Sequence, residues 1–135
     1  MFGPIKYRKG YKYQLAVDVL GQSPIHPKKD IKTEFIDIDI GGLMIVRSAY
    51  SWDGASGPTI DTKNTMTPSL IHDSYCQLIR NGYLPDSARK EADRYFYEML
   101  RERKMWWPRA RVWYRGVRIG AKAKKQKPKK VFTAK

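Results

Sequence analysis

The chain of 135 residues contains one cysteine, Cys76, and two histidines. A single cysteine cannot form an intramolecular disulfide, and the sequence gives no support for an oxidising compartment or for a thiolate metal cage. Because a lone free cysteine usually packs as a small apolar side chain, we expect Cys76 to be buried.

Long apolar runs are also missing. No stretch approaches the roughly 20 apolar residues of a membrane-spanning helix, and the N-terminal sequence MFGPIKYRKG has no apolar core of a signal peptide. We therefore expect no transmembrane segment. The protein is expected to be made and to act in the cytoplasm of its host cell, or to leave that cell by particle assembly or lysis.

Acidic residues are almost absent from the C-terminal quarter. The sequence from Arg101 to Lys135 contains fourteen Lys and Arg against one acid, Glu102, and so supplies +13 of the total net charge of +14. Residues 1–100 contain thirteen bases and twelve acids and supply +1. The basic character therefore belongs to the C-terminal quarter, where it would attract polyanions.

The length is that of one domain, and 41% hydrophobic residues with 13% aromatic residues are enough for a packed core. We predict a single α+β domain over residues 1–120. A Lys-rich tail follows over residues 121–135, and its composition predicts disorder in the free protein. The oligomeric state does not follow from the sequence.

Two segments of the N-terminal half have the period-two pattern of half-buried strands. The sequence YKYQLAVDVL alternates throughout and predicts one strand, whose apolar, buried face carries Tyr11, Tyr13, Leu15, Val17 and Val19. The sequence KTEFIDIDIGGLMIVRSAY predicts a β-hairpin over residues 33–50, with Gly41 and Gly42 supplying the positive backbone angles of a two-residue turn. For Asp37 and Asp39, a metal or catalytic role competes with a plain solvated strand face, which we favour.

Helices are predicted after the hairpin. One covers residues 67–80, with a proline in its first turn and Asn-Gly after its last residue, and a second covers residues 85–104. The core face of the second helix is predicted to consist of Ala88, Ala92, Tyr95, Phe96, Met99 and Leu100. Residues 106–120 form either a short helix or an extended arm. The predicted fold is thus α+β, a small antiparallel sheet with a central hairpin, packed against two or three helices and followed by a basic C-terminal tail.

Three groups of polar residues could assemble into a site: Asp53 after the hairpin, His72 with Asp73 in the first helix, and Arg89 with Asp93 in the second. Imidazole and carboxylate groups could bind a divalent metal that activates water, or could act as general acid and base without a cofactor. Each group also has a structural interpretation: a loop hydrogen bond, a contact with a neighbouring loop, and a surface ion pair, respectively. Both interpretations stay open.

The C-terminal lysines could neutralise the phosphates of a nucleic acid, and aromatic side chains upstream of them could stack on its bases. The alternative is a solubilising tail, or an arm that docks on an acidic protein partner. The lysines are Lys122, Lys124, Lys125, Lys127, Lys129 and Lys130, and the aromatic residues are Trp106, Trp107, Trp113 and Tyr114.

Several short motifs occur in a fixed order: WDGAS followed by a proline, HDxxY, an RxxAD-like spacing, and a terminal WYRGVRIG. In this combination the chain resembles, over about residues 35–120, the domain-of-unknown-function family thirteen fifty-three, whose small members are encoded mainly by bacteriophages and prophages. The resemblance implies a phage origin but no reaction. Gly57 departs from the pattern, since the family commonly has an aliphatic residue there. The signature positions are Trp52, Asp53, Gly54, Ala55, Ser56, His72, Asp73, Arg89 and Asp93.

Two functions follow as hypotheses. The leading one is a bacteriophage virion-associated or assembly protein whose basic C-terminal arm contacts nucleic acid or an acidic partner. The alternative is a small hydrolase of the cell wall or another host polymer that uses Asp53, His72, Asp73 and Asp93, with or without a divalent metal. We expect Asp53 to be the loop partner of His72, as a structural contact more than as an open site.

Overall fold

A computed structural model describes Phe2 and residues 5–8, 13–52 and 63–126. These residues form two small antiparallel sheets and three helices, which confirms the predicted α+β class. The strands are β1 (Tyr7–Arg8), β2 (Tyr13–Leu15), β3 (Val19–Gln22), β4 (Ile31–Lys32), β5 (Ile36–Ile38), β6 (Leu43–Val46) and β7 (Ser51–Trp52), and the helices are α1 (Lys63–Arg80), α2 (Ala88–Glu102) and α3 (Trp107–Gln126).

The strands are arranged in two sheets, of order β1-β2-β7 and β3-β6-β5-β4. The prediction of one strand over residues 11–20 is wrong, because the chain bends after Leu15 and passes from the first sheet into the second. Val17, which the alternation placed on the buried face, is exposed. The Asp18 carboxylate accepts a hydrogen bond from the backbone N–H of Ser48 at 2.7 Å and so stabilises this bend.

The predicted hairpin is formed by β5 and β6, and the isoleucines of β5 are fully buried. Its turn has three residues, 40–42, rather than two. Gly42 alone adopts a positive φ, of 88°, and its N–H donates to the Asp39 carbonyl at 2.9 Å. The solvated-face interpretation of Asp37 needs one addition, because its carboxylate pairs with Arg47 across the sheet surface.

The first two helices match the sequence pattern over most of their length. α1 ends at Arg80 as predicted, but it begins at Lys63, so Pro68 lies inside the helix and not in its first turn. α2 lies within the predicted range, and the whole predicted core face is buried. That face consists of Ala88, Ala92, Tyr95, Phe96, Met99 and Leu100.

The third helix decides the question that periodicity left open for residues 106–120. α3 is helical from Trp107 and continues to Gln126, and so includes the first six residues of the predicted tail. Residues 127–135 lie outside the described part of the chain. In the part that is described, no helix is long and apolar enough to cross a membrane.

α2 lies between two groups of buried apolar residues, and this central position defines the geometry of the polar site described next. One face of α2 packs with α1 and the sheets around Tyr75, Ala92 and Met99. Its other face packs with α3 around Phe96 and Trp113. Because the two faces bury different partners, α2 is the element through which α1 and α3 are positioned relative to each other.

Candidate functional site

The side chain of Asp93 in α2 is fully buried and makes polar contacts with all three helices. Its Oδ1 atom lies 2.6 Å from Nε2 of His72 in α1 and accepts a hydrogen bond from Nε of Arg89 at 2.9 Å. Its Oδ2 atom accepts a hydrogen bond from Nη1 of Arg118 in α3 at 2.8 Å. We call these four residues the Asp93 cluster.

Arg89 makes a second link between α2 and α3. Its Nη2 atom donates a hydrogen bond to the backbone carbonyl of Val117 at 3.1 Å. α3 is therefore held at two consecutive residues, through the backbone carbonyl of Val117 and through the side chain of Arg118. Two such contacts fix the rotation of α3 about its own axis, and with it the set of side chains that α3 exposes.

A buried carboxylate is costly unless charged or hydrogen-bonded partners surround it. Burial acts to raise the pKa of Asp93, but the hydrogen bonds from His72 and Arg89 outweigh burial and hold that pKa below its ordinary value. Arg118 donates to the second oxygen. Both oxygens of Asp93 therefore have cationic donors, which is the condition under which a charged carboxylate is tolerated in a protein interior.

The His72 imidazole is buried between Asp93 and the Cys76 thiol. Burial acts to lower the pKa of His72, but the hydrogen bond with Asp93 and the contact with Cys76 together outweigh it and raise the pKa to about 9. At neutral pH the ring is thus protonated, with Nε2–H donating to Asp93 and Nδ1–H directed at Cys76 Sγ, 3.8 Å away. Burial also acts to raise the pKa of Cys76, but His72 outweighs it and lowers the pKa.

Local sequence spacing explains how these groups meet. His72 and Cys76 are four residues apart on α1, and Arg89 and Asp93 are four residues apart on α2, so each pair shares one face of its helix. The His72 ring lies 5.2 Å from the ring of Phe96, centroid to centroid, so an aromatic wall covers the cluster on one side. Such a wall lowers the local dielectric constant and strengthens the charge pairs.

The structure brings together three of the predicted site residues, His72, Arg89 and Asp93. The Arg89–Asp93 pair is confirmed, but its interpretation as a surface ion pair is wrong, because Asp93 is 0% exposed. Asp53, the predicted loop partner of His72, lies outside the described residues. Among the described residues, His72 pairs with Asp93 of the neighbouring helix α2.

The other predicted positions of the site are distributed around the Asp93 cluster. Asp73 is half-buried on α1, and burial first and the Asp73 carboxylate second raise the pKa of the Tyr50 hydroxyl. Trp52 is buried at the end of β7, and its Nε1–H donates to Ser69 Oγ on α1 at 3.1 Å. Trp52 thus joins the first sheet to α1. The signature residues Gly54, Ala55 and Ser56 lie outside the described residues.

The metal interpretation finds no support in the contacts that are described. Among residues 5–8, 13–52 and 63–126, no three His, Cys, Asp or Glu side chains gather as a ligand set. In the Asp93 cluster both carboxylate oxygens already accept hydrogen bonds from cations. Two guanidinium groups beside the carboxylate would also repel a divalent cation.

Cys76 and Arg118 belong to the site, although the sequence did not predict either of them. Thiol, imidazole and carboxylate occur here in the order used for nucleophilic catalysis. The separation of 3.8 Å between Sγ and Nδ1 is longer than the hydrogen bond of an activated nucleophile, and both groups are buried. The described geometry fits a structural contact between helices better than an open catalytic site, and the hydrolase hypothesis stays a prediction that depends on Asp53.

The available sequence signal differs for these two residues. Cys76 follows His72 by one helical turn, so a shared face was readable from the spacing. Arg118 is one of seven basic residues in α3, and nothing in the local pattern distinguishes it from the six others. Only the packing of α3 on α2 shows that Arg118 is the arginine that reaches Asp93.

No family model, curated protein or solved structure matches this chain. The resemblance of the ordered motifs to the phage-encoded family stays a prediction.

Replacing Asp93 by Asn removes the only negative charge among three cationic donors, so we expect the free energy of unfolding to fall by about 3–5 kcal/mol. The matched control is Glu91→Gln, which removes one carboxylate from an exposed position of the same helix and should change stability by no more than about 0.5 kcal/mol. Urea unfolding measures both. Equal effects of the two substitutions would contradict the structural role of Asp93.

The raised pKa of His72 predicts a pH dependence with a definite sign. Because the folded pKa, about 9, exceeds the ordinary value of 6.5, the stabilisation is complete below pH 6.5 and is lost as pH rises through about 9. NMR titration of the two imidazole rings measures this directly, with the exposed His26 as a second signal. In Asp93→Asn the His72 titration should move to lower pH. A wild-type midpoint for His72 at or below 6.5 would contradict the ion pair.

Proposed function

We propose that this protein is a bacteriophage virion-associated or assembly protein that binds nucleic acid through its basic C-terminal region, beginning with the exposed face of α3. The observation that carries this proposal is the division of α3 into two faces. Ala110, Trp113 and Val117 are buried against α2, while Arg111 and Arg115 are exposed. The cationic face is therefore turned away from the protein and available to a ligand.

The charge of α3 is of one sign along its whole length. Residues 107–126 contain seven Lys and Arg and no acid, so no carboxylate of the helix neutralises its own arginines. Arg111 and Arg115 are four residues apart and consequently share one side of the helix. We call Arg111 and Arg115 the basic stripe.

The Asp93 cluster supports the proposal because it distinguishes Arg118 from the basic stripe. The Arg118 guanidinium is occupied by Asp93, so its charge serves the packing of α3. The exposed arginines have no such role in the core and can exchange counterions for phosphates. Arginine is suited to this exchange because its planar guanidinium group donates two parallel hydrogen bonds to a phosphate.

Lysines in the last turns of α3 and after its end add to this positive charge. Lys127, Lys129 and Lys130 lie outside the described residues, and Lys122, Lys124 and Lys125 are in the last turns of α3. A single strong positive field of this kind favours a polyanion over a compact neutral partner. An acidic protein partner would use the same charge, and it is distinguished below by its response to a nucleic-acid competitor.

Substituting both exposed arginines, Arg111→Gln with Arg115→Gln, should weaken nucleic-acid binding and lower the salt slope of log K by about 0.7–0.9 per charge removed. The matched control carries Lys90→Gln and Arg94→Gln, two exposed charges of α2. It should leave the slope within error of the wild type. Fluorescence anisotropy of a labelled oligonucleotide, measured at four or more salt concentrations, gives the slopes.

Two outcomes of that experiment would contradict the proposal. One is an equal loss of affinity in the α2 control, since binding would then follow net charge and not the basic stripe. The other is an absence of salt-sensitive binding in the wild type. If an acidic peptide binds and an excess of nucleic acid does not displace it, the partner is a protein.

The virion part of the proposal has its own test. Mass spectrometry of purified particles of a phage that encodes this chain should detect it at a constant ratio to the major capsid protein. Particles stripped of loosely bound protein by a high-salt wash provide the control. Complete absence from particles and from assembly intermediates would refute the virion and assembly roles while leaving nucleic-acid binding intact.

A further inference from the structure

Two of the four tryptophans have no place in the core. Trp52 and Trp113 are buried, with 2% and 3% of their surface exposed, whereas Trp106 is 71% exposed and Trp107 is 51% exposed. Adjacent exposed indoles are costly in water, because each ring presents a large apolar surface. The expected stacking role of Trp113 is wrong, because Trp113 is buried and packs on Phe96. Tyr114 is half-buried and packs on Tyr97, and its stacking role stays a prediction.

The exposed indoles lie at the start of the helix that carries the basic stripe. Trp107 is the first residue of α3, and Arg111 and Arg115 follow at intervals of four residues. Residues at this spacing lie on one side of a helix, about 6 Å apart along its axis. A ligand that runs along this side would thus meet an aromatic surface and then successive cations.

We propose that Trp106 and Trp107 stack on unpaired bases, so that the preferred ligand of this surface is single-stranded nucleic acid. This inference rests on the proposed function and specifies its ligand. Stacking of a base on an aromatic side chain is sequence-tolerant, because every base has a π-face, and Arg and Lys beside it hold the phosphates. The exposed indoles therefore match the base faces of a single strand, and the basic stripe matches its phosphates.

A duplex offers Trp106 and Trp107 fewer accessible base faces than a single strand does. In a duplex the faces of the bases are covered by their neighbours, and an inserted side chain must first separate a base step at a cost in free energy. The basic stripe alone would attract a duplex and a single strand alike. The indoles are therefore the feature that discriminates between the two ligands.

A membrane surface is the competing ligand for a basic helix with tryptophans. Helices that lie in the membrane interface turn a continuous apolar face toward the lipid. In α3 the main apolar face, formed by Ala110, Trp113 and Val117, is already buried against α2. The exposed Val112 and Ile119 are seven residues apart and share one side of α3, next to the exposed Arg115. This exposed apolar strip of two side chains is narrower than the buried face, and the vesicle measurement below tests it against the nucleic acid.

The test uses the full chain and two oligonucleotides of the same mixed sequence and length, one single-stranded and one as a duplex. Dissociation constants are measured at fixed salt for the wild type, for Trp106→Ala with Trp107→Ala, and for Trp106→Phe with Trp107→Phe. The alanine pair should lose about ten-fold or more in affinity for the single strand. Its affinity for the duplex should change less than three-fold, and its salt slope should stay that of the wild type.

The phenylalanine pair is the matched control, because it keeps two aromatic rings at the same positions and should retain most of the single-strand affinity. Thermal unfolding should be unchanged in both variants, since the substituted side chains are exposed. In the wild type, the single strand should quench tryptophan fluorescence more than the duplex does. The quenched fraction should disappear in the phenylalanine pair.

The possible failures are distinguishable. Equal affinity for single strand and duplex, or an alanine pair that binds the single strand as the wild type does, overturns the stacking inference and leaves the proposed function standing. Absence of binding to either oligonucleotide overturns both. Binding to vesicles of phosphatidylserine and phosphatidylcholine, with neither oligonucleotide competing, assigns the indoles to a lipid surface and overturns the inference.

Discussion

The buried carboxylate of Asp93 is the constraint on which the arrangement of the helices depends. It carries a negative charge into the interior, and its partners come from α1, from α2 itself and from α3. Any alternative packing of the three helices would leave that charge without at least one cationic donor. Apolar contacts alone would allow several rotations of α3 about its axis, because they are non-directional. Hydrogen bonds to the two oxygens of Asp93 allow far fewer rotations. We therefore attribute the specificity of the α2–α3 interface to Asp93.

This constraint connects the interior to the proposed ligand surface. Because the apolar face of α3 packs on α2 and Val117 in that face is held by Arg89, the opposite side of α3, which carries Arg115, must face outward. Arg118 lies at the edge of that side, and its side chain reaches back to Asp93. The exposed side is the one that carries the basic stripe and begins with Trp107. A protonated His72 adds a third cation to the cluster, which accounts for the lowered pKa of Cys76 without assigning that thiol a reaction. In the proposed function, the Asp93 cluster therefore acts by orienting α3 and not by contacting the ligand.

The sequence predicted those features that depend on local pattern, and it failed where tertiary contacts decide. Alternation identified the hairpin, and helical spacing identified both the core face of α2 and the Arg89–Asp93 pair. The strand over residues 11–20 was wrong because alternation does not register a bend between two sheets. The contact of His72 with Asp93 could not be assigned either, since a sequence pattern does not show which carboxylate of another helix packs against His72. Arg118 was indistinguishable from its neighbours for the same reason. The predicted contact with Asp53 lies outside the described residues.

The central claim is that the Asp93 cluster orients α3 so that one defined side of it meets nucleic acid. Chemical-shift mapping of the labelled full-length protein, titrated with a single-stranded oligonucleotide, tests this claim most directly. The account predicts that the largest changes follow Trp107, Arg111 and Arg115, while the signals of His72 and of the sheets stay in place. Changes centred on His72 and Cys76, with the exposed side of α3 unaffected, would contradict it and would locate the ligand at the polar cluster instead.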